Sequence, residues 1–280
     1  MINPQPATLS QVLERHSFHT LLIDASGVLY NDAGPVSEIQ ETLAKLQQNY
    51  SVFIVTNNSY FYIPFILQKL AQYQIYMHPK QIISSGYGLS MDPTCLRLLS
   101  QKTVYVFGND TSMPYVTLAP IKKVTQNLKE ADAIILTSSL HKNHETAFTT
   151  LVDFLLEHPH IPIICCNPDQ YVVGVHQPLK KVIGYYASQL EKKGLPVTWV
   201  GKPYANFSNI VRNYLQYHFG LSLDSNTCFF DDNPQNVQAF QDHLGVTGCC
   251  ILNSGLSRVQ SLDFSAYSTH YKIPFLKFSA

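Results

Sequence analysis

Residues 21–32, LLIDASGVLYND, decide the fold predicted for this chain. An apolar run ends in a single carboxylate, Asp24, and Ala25, Ser26 and Gly27 follow it. The run has the length and composition of a buried strand, and the small residues after it are typical of a tight turn. A carboxylate at such a strand end can act as a nucleophile, as a metal ligand or as a cap for the turn.

Short apolar runs alternate with amphipathic stretches along most of the chain. The runs that predict buried strands are HTLLIDA, SVFIVTN, KTVYVFGN, ADAIILTSS, IPIICCNPD, VTWVGKP, NTCFFDDN and TGCCILNSG. Helices are predicted between them, at 37–47, 64–74, 145–158 and 207–219. Repeated strand–helix alternation predicts an α/β fold with a parallel sheet that is covered on both faces. Ligands of such sheets bind beyond the carboxyl ends of the strands.

The chain is predicted to contain two α/β units. Between Thr56 and Lys202 lies a long block with three strand candidates of its own. We expect residues 87–181 to form a smaller unit that is inserted into a first unit made of 1–86 and 182–280. No charge run or Pro/Gly-rich linker marks the joints.

Composition indicates an ordinary globular protein, with 45% hydrophobic and 14% charged residues and a formal net charge of zero. Zero net charge argues against general attraction to nucleic acid or to an anionic membrane. The six cysteines have no CxxC spacing, and they are expected to be buried, reduced thiols. No signal peptide is recognisable, and no apolar run reaches the roughly 18 residues of a membrane span. A cytoplasmic protein is therefore expected.

Polar side chains follow four of the predicted strands: Asp24, Thr56–Asn58, Lys202, and the pair Asp231 and Asp232. If these ends converge, up to three carboxylates share a small volume, and each close pair repels by about 4 kcal/mol at an effective dielectric constant near 20. A cation must offset this repulsion. Magnesium (Mg²⁺), which prefers oxygen ligands, is the expected cofactor, and Lys202 would supply a further positive charge.

Such a site suits phosphoryl transfer, in which catalysis consists mostly of positioning and charge neutralisation. Asp24 would attack phosphorus and form an acyl phosphate that water later cleaves, while Thr56 and Asn57 would donate to phosphoryl oxygens. Gly27 would allow a close backbone approach in the turn. Each segment also has an ordinary structural interpretation, as a turn, a helix cap or an exposed lysine. Their order and their common position at strand ends favour the site.

In their order along the chain, these motifs resemble those of the haloacid dehalogenase superfamily, and specifically its class IIA (NagD-like) branch, which includes nucleotide monophosphatases and phosphoglycolate and pyridoxal phosphatases. The first motif of that family, D-x-D-G-x-[TV], is represented here by DASGVLY. The remaining matches are TNNS at 56–59, SSG at 84–86, CNPD at 166–169, GKP at 201–203 and FDDNPQN at 230–236. The resemblance covers nearly the whole chain.

The resemblance implies a Rossmann-like, doubly wound parallel sheet with an inserted, smaller α/β cap domain of the C2 type. It also implies a metal site. Asp24 would be both nucleophile and magnesium ligand, the backbone carbonyl of Ser26 a second ligand, and Asp231 a third, with Asp232 supporting the metal.

The same resemblance implies the phosphate and substrate contacts. Thr56, Asn57 and Asn58 would bind phosphate, and Lys202 would neutralise the charge of the nucleophile and the phosphoryl group. Asn167 and Asp169 of the cap would lie near the substrate entrance. The implied ligand is a small phosphorylated metabolite, and members of the branch are often homodimers through the cap.

Ser26 departs from the family pattern. Phosphatases of the family carry at this position an acid that protonates the leaving oxygen and later activates water, and a serine hydroxyl has no suitable pKa for either step. Such help is worth about 10²–10⁴-fold, or about 3–5 kcal/mol of barrier. Weak or atypical turnover is therefore expected. Asn236, in place of a second acid, removes a charge that would orient Lys202.

Three interpretations of the site remain open. The chain is a phosphatase with weak or atypical activity, or a catalytically inactive protein of this fold that binds a phosphorylated ligand or a protein partner. The third is cleavage of a C–Cl or C–P bond. Dehalogenases have a similar DAYG motif but work without magnesium, which would leave Asp231 and Asp232 unexplained. Phosphonate hydrolases need a cap lysine soon after the first motif, and only 25 residues separate Tyr30 from Thr56.

Overall fold

The computed structural model describes residues 5–138, 144–173, 179–256 and 267–278. The strands are β1 (Gln5–Pro6), β2 (Thr20–Ile23), β3 (Tyr30–Asn31), β4 (Gly34–Pro35), β5 (Ser51–Thr56), β6 (Ile82–Ser84), β7 (Thr103–Phe107), β8 (Lys123–Thr125), β9 (Ala133–Leu136), β10 (Ile163–Cys165), β11 (Tyr171–Val172), β12 (Lys180–Lys181), β13 (Val197–Trp199), β14 (Thr227–Asp231), β15 (Thr247–Ile251) and β16 (Tyr271–Ile273). The α-helices are α1 (Leu9–Glu14), α2 (Ile39–Asn49), α3 (Ile63–Gln72), α4 (Gly88–Met91), α5 (Pro93–Leu99), α6 (Met113–Thr117), α7 (His144–Glu157), α8 (Ile183–Lys192), α9 (Ala205–Phe219) and α10 (Pro234–Leu244). Single 3₁₀ turns span Pro79–Gln81, Ser85–Tyr87, Asp110–Ser112 and Leu128–Glu130.

A seven-stranded parallel sheet, in the order β1-β16-β15-β14-β2-β5-β6, forms the larger layer and confirms the predicted α/β fold. Strand β2 lies between β14 and β5, with Ile23 paired with Phe230 on one side and with Ile54 on the other. Because the three strands are parallel and in register, their carboxyl ends lie side by side. This register brings together residues that are about two hundred positions apart in sequence.

The central strands of this sheet are largely apolar because both faces are covered. In β2, Leu21 and Ile23 pack in one apolar cluster with residues of α1, α2 and α3, whereas Leu22 packs in a second cluster with residues of α9 and α10. Successive strand residues point to opposite faces, so each residue of β2 reaches an apolar layer. Burying each such side chain contributes about 1.5–3 kcal/mol.

A second parallel sheet has the order β13-β10-β9-β7-β8. Helices α7 and α8 supply the apolar cluster on one face, and the other face shares a cluster with the first sheet. Strand β13 belongs to this second sheet, because its backbone pairs with β10 along Val197–Trp199. The sheet therefore extends past residue 181, the end predicted for the inserted block. The division of the chain into domains at the predicted residues stays a prediction.

All eight predicted strands are present, and the four predicted helices are present with their ends moved by at most two residues. The elements that were not predicted are the short strands β1, β3, β4, β6, β8, β11, β12 and β16 and the helices α1, α4, α5, α6, α8 and α10. In the described parts of the chain, no helix combines the length and the apolar character needed to cross a bilayer.

Candidate active site

The buried ammonium of Lys202 joins two carboxylates at the carboxyl edge of the larger sheet. Its Nζ donates to Asp24 Oδ1 at 2.5 Å, to Asp231 Oδ2 at 2.7 Å and to the Val55 carbonyl at 2.9 Å. Lys202 is only 1% exposed and Asp231 is fully buried. Burial raises the pKa of Asp24 to about 7; the positive charge of Lys202 opposes this shift and the charge of Asp231 adds to it. The predicted convergence of these side chains is present in the structure.

Asn57 holds the Lys202 segment in place. Its Oδ1 accepts from the Lys202 backbone N–H at 2.7 Å, and its Nδ2 donates to the Lys202 carbonyl at 2.9 Å. The preceding residue, Gly201, has φ +136°, and a Cβ there would lie 2.5 Å from Pro168 Cδ and 2.7 Å from Asn57 Oδ1. Only glycine lets the lysine segment lie this close to Asn57.

The TNNS segment also makes local contacts of the ordinary structural kind. Thr56 Oγ1 accepts from the Asn58 backbone N–H at 3.2 Å, and Asn58 Oδ1 accepts from the Phe61 N–H at 3.1 Å. The second Asn57 amide hydrogen is also engaged, with Asp169. Phosphate contacts of Thr56, Asn57 and Asn58 therefore stay predictions. All three residues line the cleft above Asp24.

Three carboxylates form a cluster beside Lys202. One oxygen each of Asp24, Asp231 and Asp232 lies within 4.8 Å of the other two. Burial raises the pKa of Asp232 well above its ordinary value, and the charges of Asp231 and Asp24 raise it further. Asp232 also accepts from the backbone N–H of Leu256.

Two glycines make room for Asp232. A Cβ on Gly27, which has φ +93°, would lie 2.5 Å from Asp232 Oδ2 and 2.9 Å from the Cα of Gly255. A Cβ on Gly255 would also clash with Asp232 Oδ2. The turn after β2 and the loop after β15 therefore contact each other through glycine backbone atoms, and the Asp232 carboxylate lies beside both glycines.

The carboxylate oxygens of this cluster are suitable ligands for a hard divalent cation. Lysine supplies one positive charge for three buried carboxylates, and oxygen atoms are the ligands that magnesium and calcium prefer. Asn236 adds a further observation, because its Oδ1 is buried and has no hydrogen-bond partner in the described parts of the chain, while its Nδ2 lies 3.2 Å from both oxygens of Asp231. The backbone carbonyl of Ser26 as a ligand stays a prediction.

Replacing Asp232 with asparagine should stabilise the metal-free protein by about 1 kcal/mol or more, because the change removes a carboxyl group whose ionised form is disfavoured by burial and by the charges of Asp231 and Asp24. The same change should shrink the increase in melting temperature that magnesium produces in the wild-type protein. Thermal unfolding with and without Mg²⁺, with exposed Asp242→Asn as the control, measures both effects. An undiminished magnesium-induced shift in Asp232→Asn would exclude Asp232 from the cation site.

The loop after β10 reaches the site from the second sheet. Asp169 Oδ1 accepts from Asn57 Nδ2 at 2.9 Å, and Asn167 Oδ1 accepts from the Asp169 backbone N–H at 2.9 Å. Asn167 is buried and Asp169 half-buried. The NPD segment therefore lies on the site itself, in direct contact with the TNNS segment, rather than only near an entrance.

A cleft opens above Asp24 and is bordered by residues of both sheets. Ser26 is exposed and faces it. Its walls include residues that the sequence analysis missed: Tyr30, Tyr60, Lys69 and Lys180. Lys69 lies in the last turn of α3, where no strand end or motif marks it. Gly255, by contrast, follows a strand end and could have been found by the same rule as Asp24.

Comparisons with known proteins show which proteins share this fold. Residues 21–122 match a family model described as haloacid dehalogenase-like hydrolase. A solved structure described as a possible sugar phosphatase of the haloacid dehalogenase superfamily, from Cytophaga hutchinsonii, superposes with TM-score 0.82 at 17% identity, covering 99% of this chain and 100% of that one. No curated protein matches the sequence significantly.

Two further solved structures have the same fold. A p-nitrophenyl phosphatase from Archaeoglobus fulgidus has TM-score 0.71 at 19% identity, with 92% of this chain and 97% of that one covered. A glycerol phosphate phosphatase from Mycobacterium tuberculosis, in complex with calcium, has TM-score 0.69 at 16% identity, with coverage of 86% and 67%. The resemblance found in the motifs is thus confirmed at the level of the fold: the chain has the haloacid dehalogenase-like fold, and its residues 21–122 match the family model of the haloacid dehalogenase-like hydrolases.

Proposed function

We propose that this protein is a magnesium-dependent phosphomonoesterase that acts on a small phosphorylated metabolite through a phosphorylated Asp24. The observation that carries the proposal is the buried Asp24 carboxylate, held 2.5 Å from Lys202 within the three-acid cluster at the floor of the cleft. Phosphatases with the same fold support it, including one bound to calcium.

The residues of the chain divide the reaction between them. Asp24 attacks phosphorus, so that an O–P bond to its carboxylate forms while the ester O–P bond breaks; water then cleaves the acyl phosphate and restores Asp24. Lys202 orients the carboxylate and offsets the charge of the phosphoryl group. The cation, held by Asp24, Asp231 and Asp232, supplies further charge neutralisation when bound.

Release of inorganic phosphate from p-nitrophenyl phosphate, measured with Mg²⁺ and after chelation, tests the proposal. Slow, magnesium-dependent release is expected, because Ser26 cannot act as an acid and nitrophenolate is a leaving group that needs no proton. A panel of phosphorylated metabolites extends the same assay. Tight binding of such ligands without any turnover would instead support the catalytically inactive, ligand-binding alternative, which the missing acid at Ser26 favours.

Substrates with a second anionic group are expected to bind best. Lys69 and Lys180 line the cleft, and Lys69 Nζ lies 4.3 Å from the centre of the Tyr30 ring. Burial lowers the pKa of Lys69 and the negative charge of Asp32 opposes that shift. A charge-assisted contact from this ammonium to the substrate is worth about 1.5 kcal/mol or more.

Lys69→Met should therefore raise KM about tenfold for a phosphorylated carboxylic acid. The same variant should change KM by less than about twofold for p-nitrophenyl phosphate, which has no second anionic group. Exposed Lys192→Met serves as the control. An equal change in KM for both substrates would show that Lys69 does not bind a second anionic group of the substrate.

We also propose a cytoplasmic location. All six cysteines are buried and none is in a disulfide, which supports a reducing compartment. A homodimer through the second sheet stays a prediction from the family resemblance.

A further inference from the structure

The proposed reaction lacks an obvious group to move protons. The leaving alkoxide needs a proton when the ester bond breaks, and the water that cleaves the acyl phosphate must lose one. Ser26 is exposed to the cleft, but its hydroxyl has no pKa suited to either step. The chemistry of the site therefore calls for another carboxyl group on the side of the phosphorus opposite Asp24.

In-line displacement fixes where that group must be. Asp24 lies at the floor of the cleft, so attack drives the leaving oxygen towards the loops that cover the floor from the second sheet. Besides the three acids of the cluster, the carboxylates that line the cleft in the described parts of the chain are Asp32 and Asp169. Asp32 is exposed at the rim, whereas Asp169 is half-buried in the cover.

Contacts hold Asp169 in a defined position. Its Oδ1 accepts from Asn57 Nδ2 at 2.9 Å, and Asn57 in turn binds the backbone of Lys202, whose ammonium holds Asp24. The loop lies directly against Gly184 of α8, where a Cβ would come 2.5 Å from the Pro168 carbonyl oxygen. The second oxygen of Asp169 has no hydrogen-bond partner among the described residues, and the residue borders the cleft together with Asp24.

The electrostatic surroundings suit a group that both donates and accepts protons. Burial raises the pKa of Asp169 to about 6, and the positive charge of Lys202 and the hydrogen bond from Asn57 limit the rise. Below that pH the carboxyl group is protonated, and above it the group is a base, so both forms are populated near neutrality.

We propose that Asp169 is the general acid and base of this site and takes over the work that an acid at position 26 would do. As Asp24 attacks, the Asp169 carboxyl gives its proton to the leaving oxygen and becomes a carboxylate. It then takes a proton from the water that attacks the acyl phosphate, which restores both residues. This inference rests on the proposed function.

Asp169→Asn tests the inference with little change of shape, since the asparagine oxygen can still accept from Asn57. For an alkyl phosphate, whose leaving group needs a proton, kcat/KM should fall by about 10²–10⁴-fold. For p-nitrophenyl phosphate the stoichiometric burst of nitrophenolate should keep its rate, while steady turnover slows because water loses its base. Asp153→Asn, at an exposed site on α7, is the matched control.

Two further readouts separate acid–base catalysis from mere support of the loop. For the wild-type protein and the alkyl phosphate, the plot of kcat/KM against pH should bend near pH 6, and this bend should be absent in Asp169→Asn. Adding Ser26→Asp to Asp169→Asn should restore at least about tenfold of the lost kcat/KM, because the new acid points into the same cleft.

The outcomes are distinguishable. Turnover that needs Asp24 but is unchanged in Asp169→Asn would overturn this inference and leave the proposed function intact. The inference would also be overturned if Asp169→Asn slowed the burst equally for the alkyl phosphate and for p-nitrophenyl phosphate, and if adding Ser26→Asp restored no activity. That pattern would indicate a displaced loop. No turnover by the wild-type protein on any phosphate ester would overturn both.

Discussion

Asp24→Asn is expected to lower phosphate release by about 10⁴–10⁶-fold, the size of loss seen when a covalent nucleophile is removed. Asparagine has nearly the same shape as aspartate but no charge and little nucleophilicity. Its folded state should persist, because Lys202 keeps its ion pair with Asp231 at 2.7 Å. The rate of phosphate release measures the loss, and the mass of acid-quenched protein shows whether a phosphorylated form accumulates.

The wild-type protein should give the phosphorylated mass, and Asp24→Asn should not. Asp242→Asn, on the exposed side of α10, controls for the loss of one carboxylate elsewhere. If Asp24→Asn retained a tenth of the wild-type rate, water rather than Asp24 would be the attacking group, and the covalent route would be wrong.

Lys202→Met should lower the free energy of unfolding by about 3–5 kcal/mol, the cost of breaking a buried ion pair from one side. Methionine fills a similar volume but leaves Asp24 and Asp231 buried without their shared cation. Denaturant titration measures the change, with exposed Lys192→Met as the control. A loss below about 1 kcal/mol would mean that the two carboxylates do not depend on the ammonium.

The free energy of unfolding that Lys202→Met removes is expected to depend on pH in a defined direction. Burial acts to lower the pKa of Lys202, but the combined attraction of Asp231 and Asp24 outweighs it and raises the pKa above its ordinary value. A cation with a raised pKa stabilises the fold at every pH below its unfolded pKa, and that contribution is lost as the pH rises through the folded one. The difference between wild type and Lys202→Met should therefore persist through neutral pH and disappear in strong alkali.

Much of the candidate site followed from the sequence because its residues share one local feature, a position at the end of an apolar run. Asp24, Thr56 and Asp231 end strands that pair in register, so a pattern of apolar residues is enough to bring them to one edge. Lys202 also lies where expected, although the strand before it belongs to the other sheet. The burial of these strands on both faces produces the continuous apolar runs that made them recognisable.

Local periodicity and strand ends are enough to predict the parallel α/β architecture, the strands that build it and the acids and lysine at its carboxyl edge. Three features emerge only from the three-dimensional packing: Val197–Trp199 joins the second sheet, Asp169 binds Asn57 and Lys69 faces the cleft. These features depend on contacts between residues far apart in the chain. No local pattern specifies such contacts, because each is set by how the two sheets and their helices pack together.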